Sequence, residues 1–343
     1  MTKFKPFIVL SALLFTLVLI IPALLVVLPL GNDEKQENRE TVTAEKKKGE
    51  ATPFTSMEPA VDVAVYRTDA NKVETFAFED YLIGVVASEM PAEFELEALK
   101  AQALAARTYT MQHLLADEGS LPDGAMITDS TDDQVFKNKE ELKKIWKSDY
   151  DWKIEKITQA VQETSGQILT YDGNPITAAF FSTSNGYTEN AENVWANATP
   201  YLKSVKSPWD IDTPKFADQI SIPVSEFEKK LDVKVPSGQT VAKIVEKTDG
   251  NRIGKVNING TMIKGTDVRM KLGLQSTDFT LKRNGDQINI QTKGYGHGVG
   301  MSQYGANGMA KEGKSYKEIV SYYYKGIEIS ESDTMVAKLT AQK

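Results

Sequence analysis

The run Glu79-Asp80-Tyr81-Leu82-Ile83-Gly84-Val85-Val86-Ala87-Ser88-Glu89-Met90-Pro91 decides how the rest of the chain is read. Tyr81, Leu82, Val85, Val86 and Met90 recur at helical spacing, and Pro91 cannot continue a helix. The spacing predicts a helix over residues 79–90 with Glu89 near its C-terminal end. Upstream, Val61-Asp62-Val63-Ala64-Val65-Tyr66 alternates apolar and polar residues, as a strand does. Asp69-Ala70-Asn71 supplies a turn, and residues 73–78 return as a second strand. Downstream, an Ala- and Leu-rich stretch predicts a long helix over 95–117.

Working outward, short helices are expected over 139–148 and 154–164. Asp172-Gly173 is a strong hairpin turn between expected strands at 167–171 and 176–182. Residues 184–218 hold turn formers and aromatics with little periodicity, as a binding loop would. A helix over 225–231 follows, then a hairpin about Asn259-Gly260, a helix over 266–272 and a hairpin about Asn284-Gly285. A glycine-rich run at 293–308 overlaps the first of two closing helices, at 302–311 and 316–323. The sum is an α+β fold, with mixed helices and antiparallel hairpins around a substrate cleft. One domain is expected over 57–330, with a small insert across 219–293 and a tail at 331–343.

The 343 residues are 41% apolar and 25% charged, as in packed proteins, and the net charge of −7 argues against a nucleic-acid partner. There is no cysteine, which excludes disulfides, thiol nucleophiles and Cys zinc sites. Lys3 and Lys5 precede an uncharged run from Phe7 to Leu30, longer than the roughly 20 residues a membrane span needs. Residues 1–31 are therefore expected to form an N-terminal transmembrane helix with a cytoplasmic stub, a single pass in the cell membrane. A cleaved signal peptide is the alternative, and both readings put the body outside the cytoplasm. Residues 32–56 are polar and charged, as in a disordered linker.

Glu89 ends an apolar helix. The negative end of the helix dipole and nearby apolar groups both disfavour its ionised form. A carboxyl held protonated suits a general acid for glycosidic oxygen; an exposed helix-end glutamate is the alternative, and Glu93 is the runner-up acid. Gln102 and Arg107 lie in an apolar helical stretch, where Arg107 fits a structural ion pair as well as a substrate contact. Phe180-Phe181-Ser182-Thr183-Ser184-Asn185-Gly186-Tyr187-Thr188-Glu189 offers hydroxyl and amide groups to a sugar, or a capped turn. In Gly294-Tyr295-Gly296-His297-Gly298-Val299-Gly300-Met301-Ser302-Gln303-Tyr304-Gly305-Ala306, glycines alternate with single functional side chains, so backbone can approach a ligand closely. The run lacks a Gly-Lys-Ser/Thr ending and is a poor nucleotide loop. His297 and His113, the two histidines, give weak support to a metal site. A serine hydrolase using Ser184 and His297 has no nucleophile elbow to support it.

In these stretches the chain is similar to the stage II sporulation protein D family, which includes amidase enhancers. The matching pieces are the N-terminal anchor, Ser88-Glu89-Met90-Pro91 and its helix, residues 98–109, residues 180–189 and the glycine–histidine run. The resemblance implies a peptidoglycan lytic transglycosylase of endospore-forming bacteria. Such an enzyme cuts the MurNAc–GlcNAc bond of glycan strands, preferably peptide-stripped ones, and leaves 1,6-anhydro-MurNAc ends. It implies work at the septum during engulfment, in the intermembrane space, beside stage II sporulation proteins P and M. The family's acid falls on Glu89, and Arg107, Ser184, Asn185, Tyr201, His297, Gln303 and Tyr304 fall on its substrate groove. A non-catalytic, wall-binding amidase enhancer is the alternative. Some clostridial relatives hold zinc with His and Cys after the long helix. Here Ile127-Thr128-Asp129-Ser130-Thr131-Asp132-Asp133-Gln134 has neither, so no metal or cofactor is expected.

Overall fold

The computed structural model describes residues 61–116, 121–195 and 197–341. The expected anchor at 1–31 and linker at 32–56 lie outside the described residues. Among the described residues, no helix is long and apolar enough to cross a membrane.

The centre of the fold is the helix Leu96–Ala116. Ala98, Leu99, Ala101, Ala103, Leu104, Ala105 and Ala106 are all fully buried, so this helix has apolar contacts on every side, as an interior helix does. Its small side chains let neighbours come close. Against it pack the helices Phe78–Glu89, Tyr150–Gln162, Gln303–Lys311 and Tyr316–Tyr323, and the strand Gln167–Tyr171. The N-terminal hairpin Asp62–Arg67 and Lys72–Ala77 pairs in register, with Asn71 at φ +50° in its turn. It feeds directly into the helix Phe78–Glu89.

Residues 217–293 carry a second hydrophobic cluster, built from Phe227, Leu231, Val256, Ile258, Val268, Ile288 and Ile290 among others. Two three-stranded antiparallel sheets form here. One joins Ala217–Pro223 to the hairpin Phe279–Asn284/Gln287–Lys293. The other joins Lys243–Lys247 to the hairpin Ile253–Ile258/Thr261–Lys264. Both Asn-Gly turns expected from the sequence are present in them. The whole is a mixed α+β structure.

Of the strand expected over 176–182, only Phe180–Phe181 is strand. The hairpin about Asp172-Gly173 is closed earlier, by Asn174–Pro175 pairing back on Gln167–Tyr171. Pro175 lacks an N–H and cannot extend the ladder as a donor. The chain leaves the hairpin, and Phe180–Phe181 pairs in parallel with Met301–Ser302. That crossing brings the 180–189 segment against the glycine run. The second of the short helices begins at Tyr150, earlier than the periodicity shows, because the buried Tyr150 is followed by polar residues. Beyond residue 331, Asp333–Ala341 is a helix whose Met335, Val336 and Leu339 are buried.

Arg107 shows how the interior is tied together. Its side chain is 1% exposed. It pairs with Glu79 at 3.1 Å and donates to the carbonyls of Thr164 at 2.6 Å and Val161 at 3.0 Å. One guanidinium thus satisfies the C-terminal end of the helix Tyr150–Gln162 and ties it to the helix that carries Glu89. Replacing it by alanine leaves those buried acceptors unpaired. We expect Arg107→Ala to lose about 3 kcal/mol of stability in denaturant unfolding, the loss typical of a broken buried ion pair.

Candidate active site

Glu89 is the last residue of the helix Phe78–Glu89; Met90 turns to extended backbone, at φ −129° and ψ +135°. No basic residue occupies the last helical turn, so nothing there offsets the negative end of the helix dipole. Buried Ala87, Met90, Ala92 and Phe94 surround it in sequence. The carboxylate is half-buried and accepts one backbone hydrogen bond, from the Val135 amide at 2.7 Å. Burial pushes its carboxyl above the ordinary glutamate range, and the Val135 amide and the Gln303 side chain pull it back part of the way.

Gly84 makes the Val135 contact possible. A Cβ at this position would lie 2.4 Å from the Phe136 ring and 2.6 Å from the Lys137 carbonyl. Hydrogen is the only side chain that lets residues 135–137 lie this close to the helix. Phe136 then stacks on Tyr81, with ring centroids 5.1 Å apart. Asp129, at the head of the same segment, pairs with Arg67 at 2.8 Å, and Asp133 accepts from the Thr128 amide at 2.8 Å. Those carboxylates are engaged by protein groups. Among the described residues, no group of three or more His, Cys, Asp or Glu is placed to hold a metal ion.

Glu89 opens on a cleft of about 320 Å³ that is also lined by Pro91, Glu93, Trp146, Lys153 and Lys215. Glu93 pairs with Lys153 at 2.8 Å, and this hydrogen bond holds its carboxyl below the usual range. The two candidate acids are therefore sorted by their surroundings: the neighbours of Glu89 favour the protonated form and those of Glu93 the ionised form. Gln303 begins the helix Gln303–Lys311, which Ser302 caps by accepting from the Gly305 amide at 3.2 Å. Its amide reaches Gln102 at 3.5 Å. Gln102 is fully buried, and its own amide nitrogen has no partner among the described residues.

The remaining positions fall in three places. Tyr304 follows Gln303 and packs edge-on against Phe94, at 4.9 Å. His297 packs between Phe181 and Trp195, and its Nδ1 accepts from the Val299 amide at 3.1 Å. Burial and the nearby Arg269 charge push its imidazole down to about 4, so it is a neutral hydrogen bonder near pH 7. Asn185 spans from the glycine-run side to the second cluster, donating to the Gly250 carbonyl at 3.1 Å and to Asp278 at 2.9 Å. The Tyr201 hydroxyl accepts from the Thr177 amide at 3.0 Å. Ser184 is fully buried and donates to Asp210 at 2.9 Å. Ser184 and His297 share no hydrogen bond among the described residues, so the geometry of a serine hydrolase is not assembled. Arg107 belongs to the interior described above. Of these positions, Gln303 is the one whose side chain helps to offset the burial of the Glu89 carboxyl.

Sequence reading missed Val135, Trp146, Lys153 and Lys215 as neighbours of the site. It also missed Asp210, which gathers Ser184, Ser207 and Ser302 on one buried carboxylate. Nothing in their local pattern sets these residues apart. The one available signal was Gly84, a glycine inside an apolar helix that marks a close approach.

A family model described as SpoIID, stage II sporulation protein, matches residues 66–171. The chain belongs to the stage II sporulation protein D family, a family of sporulation proteins. It is 50% identical to stage II sporulation protein D of Bacillus amyloliquefaciens, over 99% of this chain and all of that protein. With stage II sporulation protein D of Bacillus subtilis it shares 49% identity, over 99% of this chain and all of that one. It is also 31% identical to an amidase enhancer of Bacillus subtilis, over 73% of this chain and 40% of that protein.

The raised Glu89 carboxyl has a consequence for stability. The folded state holds this proton more tightly than the unfolded chain does. The contribution of Glu89 is therefore complete in acid and is lost as pH rises through its raised folded value. A glutamine in its place would keep an acceptor for the Val135 amide without a buried charge. We expect Glu89→Gln to melt at or above the native temperature at pH 7, with the difference vanishing below about pH 4, the unfolded value; calorimetry across that range checks it.

Proposed function

We propose that this chain is a lytic transglycosylase of peptidoglycan, with Glu89 as the acid and then the base. The observation that carries the reading is the placement of Glu89: a carboxyl whose ionised form is disfavoured, at the edge of an open cleft, with the next carboxylate, Glu93, tied to Lys153. Glycoside hydrolases of the usual kind need two free carboxylates, one acting on the leaving group and one on water or the sugar. A single group suffices if the attacking hydroxyl belongs to the substrate.

In that reaction protonated Glu89 gives its proton to the glycosidic oxygen between MurNAc and GlcNAc as the C1–O bond breaks. The MurNAc carbon becomes oxocarbenium-like, and the sugar's own acetamido group can stabilise it. Glu89, now ionised, takes the proton of the C6 hydroxyl of the same sugar. O6 closes on C1, giving a 1,6-anhydro end without water and returning Glu89 to its starting form. Gln303, whose side chain favours the ionised form of Glu89, suits a positioning role for the carboxylate. Neutral His297 and Tyr304 are hydrogen-bonding groups suited to orienting sugars. The substrate in this reading is septal peptidoglycan, preferably stripped of stem peptides. The work is done during engulfment from an anchor in the cell membrane, beside stage II sporulation proteins P and M.

The amidase-enhancer relative favours a second reading, in which the cleft binds wall glycan and activates a partner amidase without cutting. Release of anhydro-disaccharide from purified glycan strands, read by mass spectrometry, separates the two. We expect Glu89→Gln to lose at least about a hundredfold in rate, the lower range for removing a general acid–base, while Glu93→Gln and Ser184→Ala continue to produce anhydro ends. Undiminished cleavage by Glu89→Gln would reject this role, and no cleavage by the native protein would favour the enhancer.

A further inference from the structure

We propose that Lys215 reads the free lactyl carboxylate of a peptide-stripped MurNAc residue held in the Glu89 cleft; the inference rests on the glycan-cutting reading above. Two lysines line that cleft. Lys153 pairs with Glu93 at 2.8 Å, so its charge is met within the protein. Lys215 forms no ion pair among the described residues, and Asp212 and Asp218, close to it in sequence, make none with it. Its ammonium instead lies 5.1 Å over the Tyr295 ring. An aromatic face steadies a cation weakly and leaves its hydrogen-bond donors free for a ligand.

The position of this charge is built into the fold. The Gly294 amide donates to the Phe216 carbonyl at 2.7 Å. That bond ties the residue after Lys215 to the residue before Tyr295. Tyr295 is fixed in turn by a reciprocal backbone bridge to Thr183, at 2.7 and 3.0 Å. Gly294 sits at φ +84°, and a Cβ there would fall 2.9 Å from the Thr183 carbonyl. Lys215 and its aromatic perch are thus held with the glycine run.

A glycan strand of alternating GlcNAc and MurNAc carries one ionisable group per disaccharide, the lactyl carboxyl on O3 of MurNAc. In a peptide-bearing strand that carboxyl is an amide to the first stem residue and has no charge. In a stripped strand it is a carboxylate. An unmatched cation beside the acid that cuts at MurNAc meets a counter-charge on the sugar itself only in the stripped strand; the carboxylates of a stem peptide lie further out along the peptide. A hydrogen bond between the two would be charge-assisted, and its exposure limits its worth to about fivefold in affinity.

The test uses the full-length protein and one batch of stripped strands. Half keeps the free lactyl carboxylates; half is coupled to methylamine with a carbodiimide, which turns each into a neutral amide. The native protein should show a KM about fivefold lower on the free form, with kcat little changed, as for contacts made equally in ground and transition states. Lys215→Gln should lose that preference, Lys215→Arg should keep it, and molar salt should erase it. The preference surviving intact in Lys215→Gln, or being absent from the native protein, would overturn the inference. Binding of both strand types to Glu89→Gln, with and without Lys215→Gln, reads the same preference without cleavage. A native protein that cuts nothing but shows a Lys215-dependent binding preference would overturn the cutting reaction and leave the inference standing. Cleavage without that preference would do the reverse.

Discussion

The arrangement around the cleft depends on how much solvent Glu89 gives up and how little it receives in return. Its carboxylate ends an apolar helix, sits among buried apolar residues and is met by one backbone amide, from Val135, with the Gln303 side chain beside it. Each further donor would stabilise the ionised form and pull the acid toward ordinary behaviour. Gly84 sets the balance. It admits residues 135–137 close enough for a single amide to reach the carboxylate, while Phe136 fills the space beside Tyr81 with apolar surface. The same close approach therefore desolvates Glu89 and fixes its direction.

Much of this was legible along the chain because it is local. The helix ending at Glu89 follows from Tyr81, Leu82, Val85 and Val86 at helical spacing and from Pro91 beyond. The Asn259-Gly260 and Asn284-Gly285 turns follow from the left-handed backbone such hairpins need. The influence of Gln303 on Glu89 was legible only in part: each residue lies in a recognisable motif, but they are more than two hundred positions apart and are brought together by packing around the helix Leu96–Ala116. The shortening of the strand expected over 176–182 was hidden for the same reason. Its pattern is extended throughout, but only Phe180–Phe181 finds a strand partner, Met301–Ser302, a choice made by tertiary structure. Lys215 and Trp146 carry no local signal because a cleft wall needs only exposure.

Polar residues in apolar sequence contexts had two readings, and their surroundings separate them. Arg107 spends its guanidinium on Glu79, Thr164 and Val161. Ser184 spends its hydroxyl on Asp210 and the Ser207 carbonyl. Asn185 joins the loop at 184–187 to Gly250 and Asp278. These contacts hold the glycine run, the 180–189 segment and the second hydrophobic cluster in register with one another. A buried polar group with every partner inside the protein stiffens the frame. That stiffness is what a site needs if a proton is to move between fixed atoms.

A raised carboxyl alone does not mark an acid, and Asp210 shows why. Burial pushes its carboxyl up as well, against donors from Ser184, Ser207 and Ser302. Asp210 is fully enclosed, so a proton it holds has no route to a substrate oxygen. Glu189 is the opposite extreme. It is 1% exposed and accepts from the Asn190 and Gly250 amides, the Asn193 side chain and the Thr248 hydroxyl. So many donors bind the carboxylate into the frame. Glu89 differs from both: it combines a disfavoured charge with an opening to solvent, whereas Asp210 and Glu189 are enclosed. Access and desolvation pull against each other, since every water that reaches the carboxylate favours its ionised form. A helix end at the lip of a cleft resolves the conflict. The helix supplies the apolar back and the unfavourable dipole, and the cleft supplies the approach, to be closed by a sugar that displaces water as it binds.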